Sequence, residues 1–135
     1  MQTLLGFDYG QQRIGIAVGQ RITGTASALC TVAAVRNSPD WARIAALINE
    51  WQPQALVVGL PCHADGSDSA VTQAARTFAE QLEARYRLPV FTMDERLSSH
   101  AAGALLHQDT HNAAAGLDAV AARIILQDWL DTRKS

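Results

Sequence analysis

Lysine is nearly missing from this sequence: Lys134 is the only one, and the rest of the 11 basic residues are arginines. With a formal net charge of −2, the chain lacks the broad basic character of a protein that grips nucleic acid over a wide area, so any polyanion must be bound locally. Arginine suits local binding, because its planar guanidinium contacts a phosphate bidentately whereas lysine is a hydrated point charge. Cysteine is scarce too. Cys30 and Cys62 lie far apart without C-x-x-C spacing, which argues against a disulfide framework or a cysteine zinc site and for buried free thiols. No stretch reaches the roughly 20 consecutive apolar residues of a membrane span. Nor does a basic segment lead into an apolar signal core, so the expectation is a cytoplasmic protein without membrane contact. Apolar residues, by contrast, are plentiful. They make up 48% of the 135 residues, enough for the core of one domain spanning 1–135.

The hydrophobic pattern begins with period two. "LLGFDYGQQRIGIAVG" predicts strands at about 3–8 and 13–19 joined by a tight turn, and "TASALCTVAA" (25–34) adds a third, making an antiparallel meander. The period then lengthens. Ser38 and Pro39 read as a cap followed by a first-turn proline, with Trp41, Ile44, Ile48 and Trp51 on one helical face until Pro53 stops the run. "ALVVGLP" predicts a short buried strand, and "SAVTQAARTFAEQLEARY" a helix with Val71, Ala75, Phe78 and Leu82 inward and Glu83–Arg87 supporting it outside. "LPVFTMDER" is a fifth strand. A short helix near 98–107 and a longer one near 114–131, with Leu117, Val120, Ala121 and Ile124 inward, complete the pattern.

The order βββ-α-β-α-β-α-α predicts an α/β fold with a mixed five-stranded sheet, its last two strands parallel to the first because helices connect them. Sites in such sheets form beyond the carboxyl ends of the parallel strands. Asp8 interrupts an apolar strand at one of those ends, and "DER" (Asp94, Glu95, Arg96) follows another. Asp118, flanked by apolar Leu117 and Ala121, can join them from the last helix. Each acid also has an ordinary structural use. Asp8 can accept N–H bonds from the Gly10 turn, Asp94 can cap a helix, Glu95 can pair with Arg96, and Asp118 can serve as a first-turn acid. Together, with no lysine near to pair them, Asp8, Asp94 or Glu95, and Asp118 form the oxygen-rich set that Mg²⁺ or Mn²⁺ prefers. His100, His107 and His111 would share a face only if one helix ran through Gln108-Asp109-Thr110, so an exposed histidine cluster is expected there in preference to zinc.

Four segments in order, "FDYGQQRIGIAVG", "VVGLPCHADGS", "MDERLSS" and "LDAVAARIILQDWL", resemble the successive motifs of the YqgF family of Holliday junction resolvases or pre-16S rRNA endonucleases. The resemblance spans nearly the whole chain. It implies an RNase H-like fold, with three antiparallel and two parallel strands flanked by helices, and metal-dependent phosphodiester cleavage in ribosome biogenesis or junction resolution. On the matching positions, the resemblance makes Asp8, Glu95 and Asp118 the catalytic metal ligands, with Asp94 a neighbour, and Arg13 and Arg96 the phosphate-contacting arginines. A two-metal hydrolysis follows, with Asp8 bridging the Mg²⁺ or Mn²⁺ ions.

Two positions depart from the family pattern: "HNAAAG" (111–116) stands where lysines are common before the last acid, and His63 replaces an asparagine. The first departure predicts weak nucleic-acid binding through a few contacts, from Arg13, Arg96 and Arg123, with a shallow salt dependence. The implied partners are pre-rRNA or branched DNA and ribosome-assembly components, with the chain acting as a monomer or homodimer. Two rival readings are a catalytically silent RNA-binding or ribosome-assembly module on the same fold and a phosphotransferase fragment; the latter would need a second domain to close its cleft.

Overall fold

The structure, a computed structural model, describes residues 3–10, 12–35, 38–60, 70–94 and 113–132. The meander is present as β1 (Thr3–Asp8), β2 (Arg13–Gln20) and β3 (Thr25–Val35), paired antiparallel in that order. After it come β4 (Ser38–Pro39), α1 (Trp41–Trp51), β5 (Ala55–Leu60), α2 (Ala70–Tyr86), β6 (Val90–Asp94) and α3 (Ala113–Thr132). β5 pairs parallel with β1, and β6 parallel with β5, as the helical crossovers require. The sheet order is β4-β3-β2-β1-β5-β6, six strands where five are expected from the sequence.

The additional strand corrects the helix start. Ser38 and Pro39 pair with Val35 and Ala34 on the sheet edge, and the cap is Asp40, whose carboxylate accepts the Arg43 N–H at 3.2 Å. Asp40 does two residues later what Ser38 is expected to do. At the other end Gln52 turns left-handed (φ 47°), its N–H bonding the Ile48 carbonyl, and Pro53 prevents continuation. Glu83 and Arg87 differ from expectation in a similar way. Arg87 lies past the end of α2 at φ 54°, joined to Glu83 through a backbone N–H···O=C bond.

Period-two alternation divides the core between the two faces of the sheet. Leu5 and Phe7 of β1, Ile14 and Ile16 of β2, and Leu56 and Val58 of β5 pack against Ile44, Phe78 and Leu82 of α1 and α2. Phe7 meets Phe78 edge to face with ring centroids 5.6 Å apart. Each buried phenylalanine contributes about 1.5–3 kcal/mol, and the pair anchors the strand immediately before Asp8. Leu4, Ala17 and Val57 face the other way, onto Ala122, Ile125, Leu126 and Trp129 of α3. The inward face of α3 therefore differs from the expected one: Val120 and Ile124 are half-exposed, Ala121 is buried as expected, and the side chain of Leu117 lies outside the described residues.

Small residues set the seating of α3. A Cβ added at Gly6 would stand 2.8 Å from Leu126 Cβ, and one at Gly19 would stand 3.0 Å from Leu126 Cδ2. The Gln127 side chain then ties the helix to the outer edge of β3. Its amide donates to the Gly24 carbonyl at 2.8 Å and accepts the Ala26 N–H at 2.9 Å, the pattern a neighbouring strand would provide. Cys30 is a half-buried free thiol. The expected helix near 98–107, the three histidines beside it, His63 and Cys62 lie outside the described residues. No described helix is long and apolar enough to cross a membrane.

Candidate active site

Asp8 is the last residue of β1, at the carboxyl end of a strand inside the parallel half of the sheet. Leu5 and Phe7 face α1 and α2, so alternation turns Asp8 to the α3 side with Leu4 and Gly6. Its partners across the sheet are both glycines, Gly15 of β2 and Gly59 of β5, and Gly59 in turn pairs with Met93 of β6. A half-buried carboxylate is thus flanked on both neighbouring strands by residues with no side chain.

Gly15 brings the second acid to the first. A Cβ built on Gly15 would lie inside the van der Waals envelope of the Asp118 carbonyl, so the backbone of α3 rests directly on β2 at this point. Asp8 sits across from Gly15 at the roughly 4.5–5.5 Å Cα separation of an antiparallel pair. Asp8 and Asp118 consequently share one rim, placed there by a single glycine. Asp118 lies over β2, inside the outline of the sheet.

Arg13 opens β2 and lies on the α3 side with Gly15, Ala17 and Gly19, while Ile14 and Ile16 point into the opposite core. Its Nε stands 3.3 Å from Asp118 Oδ2. A cleft of about 290 Å³ is lined by Gly10, Gln12, Arg13 and Asp118. The turn leading into it is tight, since a Cβ at Gly10 would come within 2.5 Å of the Arg13 carbonyl oxygen. Tyr9, next to Asp8, is buried against Phe78, and burial raises its phenol pKa above the ordinary value, keeping it neutral.

Of the site residues expected from sequence, Arg13 and Asp118 are paired, and Asp8 lies opposite Gly15, on which the Asp118 backbone rests. Asp94 ends β6 and pairs with Leu60, one position beyond the Asp8–Gly59–Met93 row. Glu95 and Arg96 lie outside the described residues. Among the described residues, no group of three His, Cys, Asp or Glu side chains is arranged to hold a metal ion. Sequence reasoning missed Gly15, although its signal was visible: Gly15, Ala17 and Gly19 form a period-two series of small residues, the mark of a strand face under a closely seated helix.

A family model described as RuvX, Holliday junction resolvase, matches residues 2–132. The chain belongs to this family. The resemblance read from the four motifs is borne out. A Pseudomonas paraeruginosa protein provisionally named pre-16S rRNA nuclease is 49% identical over 133 residues, covering 96% of this chain and 92% of its own length. An Azotobacter vinelandii protein with the same provisional name is 47% identical over 133 residues, covering 96% and 94%. Among solved structures, T. thermophilus RuvC in complex with a Holliday junction substrate aligns at TM-score 0.63 and 15% identity over 98% of this chain and 96% of that one. The fowlpox virus Holliday junction resolvase aligns at TM-score 0.59 and 13% identity, over 97% and 99%. At those identities the likeness is one of fold. The RuvX family chain has the mixed sheet and flanking helices expected of an RNase H-like protein.

Proposed function

We propose that the chain is a metal-dependent endonuclease that hydrolyses phosphodiester bonds in structured nucleic acid, with maturation of the 5′ end of pre-16S rRNA as its task. In this reading residues 1–135 form one nuclease domain that works in the cytoplasm. The observation that supports it is the seating of the Asp118 backbone on Gly15, the residue paired across from Asp8 at the carboxyl end of β1. The provisional names of relatives at 47–49% identity support the RNA substrate. Resolution of four-way DNA junctions is the second reading, favoured by the description of the family.

The donor set fits a hard divalent cation, because both acids offer carboxylate oxygen, the ligand type that Mg²⁺ and Mn²⁺ prefer. Asp8, Glu95 and Asp118 would hold Mg²⁺ or Mn²⁺. Such ions supply an activated water and charge stabilisation for the leaving oxygen. The protein's own part is placement. Phe7 and Tyr9 fix the backbone on either side of Asp8, and Gly15 fixes the height of Asp118. Arg13 and Arg96 would orient the phosphate with guanidinium N–H donors.

Glu95 is preferred to Asp94 as the third ligand. Phe91 stacks on Trp129, and Met93 packs with the α3 cluster. Glu95 continues that odd-numbered series in the sequence. Loss of an outer-shell partner typically costs about 10–100-fold, and loss of a ligand costs more. Glu95→Gln is therefore expected to reduce Mn²⁺-dependent cleavage at least about 100-fold, and Asp94→Asn to stay within about tenfold of the parent. The opposite ranking would transfer the role to Asp94. The function itself is tested by incubating the protein with labelled precursor rRNA ends and four-way junctions side by side, with Mn²⁺ or Mg²⁺ and with EDTA. Metal-dependent cutting of the RNA is expected. Cutting of the junction alone would favour the second reading, and binding without cutting of either would leave a binding module.

A further inference from the structure

We infer that Arg13 is a resident counter-cation for Asp118, yielding the carboxylate to a divalent ion and then serving the substrate phosphate, so that metal and nucleic acid bind cooperatively. The inference rests on the reading of Asp118 as a metal ligand. Arg13 Nε lies 3.3 Å from Asp118 Oδ2, so the guanidinium and a divalent ion would contend for the same carboxylate. Arginine keeps its charge at any physiological pH, so its hold on the half-buried Asp118 does not depend on titration.

Arg13 is the partner with more room to withdraw. The Asp118 main chain rests on Gly15, and α3 is seated further along by Leu126 against Gly6 and Gly19 and by Gln127 against β3. Arg13, with 59% of its side chain exposed, borders the 290 Å³ cleft and has room to swing. At 3.3 Å the contact is longer than the roughly 2.7–2.9 Å of a strong charge-assisted hydrogen bond, and an exposed pair of this kind is weak and readily displaced. Nor does the docking of α3 need it, since glycine contacts and buried apolar side chains already fix the helix.

The consequence is a linkage. A phosphate that draws Arg13 away leaves Asp118 open to a cation, and a cation on Asp118 releases Arg13 to a phosphate. By reciprocity each must raise the affinity for the other by the same factor. Removing Arg13 should therefore move two affinities in opposite directions and weaken the coupling, a signature that a purely structural contact would not give.

The test uses isothermal titration of the full chain with Ca²⁺, with and without a short single-stranded RNA, comparing the parent with Arg13→Gln and Asp118→Asn. Arg13→Gln is expected to bind Ca²⁺ about two- to fivefold more tightly without RNA. It should bind RNA roughly threefold or more weakly at low salt, and RNA should enhance Ca²⁺ binding less than in the parent. Unchanged or weaker Ca²⁺ binding by Arg13→Gln, or coupling undiminished by the substitution, would overturn the inference while Asp118→Asn still loses the metal. If Asp118→Asn binds Ca²⁺ as well as the parent does, the ligand reading falls and takes the inference with it.

Discussion

Replacing Gly15 with alanine is expected to lower the melting temperature by roughly 10 °C, a loss of about 2–3 kcal/mol in a chain of this size. The added methyl group would collide with the carbonyl carbon and oxygen of Asp118, which are backbone atoms and cannot rotate aside as a side chain would. Either α3 lifts from β2 or β2 bends away from it. Both movements loosen the packing of Leu126 on Gly6 and Gly19, where contacts are already tight. Cleavage should fall further than stability alone explains, because in protein that remains folded Asp118 is carried away from Asp8. A melting curve by circular dichroism and a cleavage assay well below the transition separate the two effects. A variant that melts within about 2 °C of the parent would show that the helix rides higher over the sheet than described.

Asp8→Asn should have the contrasting phenotype, with normal folding and cleavage reduced at least about 10³-fold. The substitution preserves shape while removing a charge that the proposed metal site cannot spare, and the cost of losing a ligand should exceed the about 10–100-fold typical of an outer-shell partner. Phe7, on the opposite face of the same strand, keeps its contact with Phe78, so the strand end should stay in place. In EDTA the variant should melt at or above the parent temperature, because repulsion among the acids of the rim is relieved. Equal cleavage by variant and parent at matched metal concentration would remove Asp8 from the chemistry.

Much of the route to this site was legible because its chemistry disturbs a hydrophobic pattern. Asp8 stands out for ending an apolar strand with a carboxylate, and the alternation of strands and helices fixes β1, β5 and β6 as parallel. Three features were not legible, for definite physical reasons. β4 is only two residues long, exists through pairing with Ala34 and Val35, and has no periodicity of its own; Ser38-Pro39 resembles a helix start while Asp40, one residue on, carries the cap. The buried face of α3 is ambiguous because alanine, isoleucine, leucine and valine surround much of the helix. Gly6, Gly15 and Gly19 settle it from the other side by admitting Leu126 and the Asp118 backbone. The pairing of Arg13 with Asp118 joins residues more than one hundred positions apart, so no local signal reports it. Sequence suggested a phosphate-contacting arginine, and the fold adds its carboxylate neighbour.

The central claim is that Asp8 and Asp118 act on the same divalent cation, and an anomalous difference map from crystals of the full chain soaked in Mn²⁺ tests it most directly. The expected result is a peak within about 2.0–2.6 Å of carboxylate oxygens of both Asp8 and Asp118, the range for hard cations on oxygen ligands. A Mn²⁺ peak bound elsewhere, or one touching neither acid at saturating metal, would contradict it.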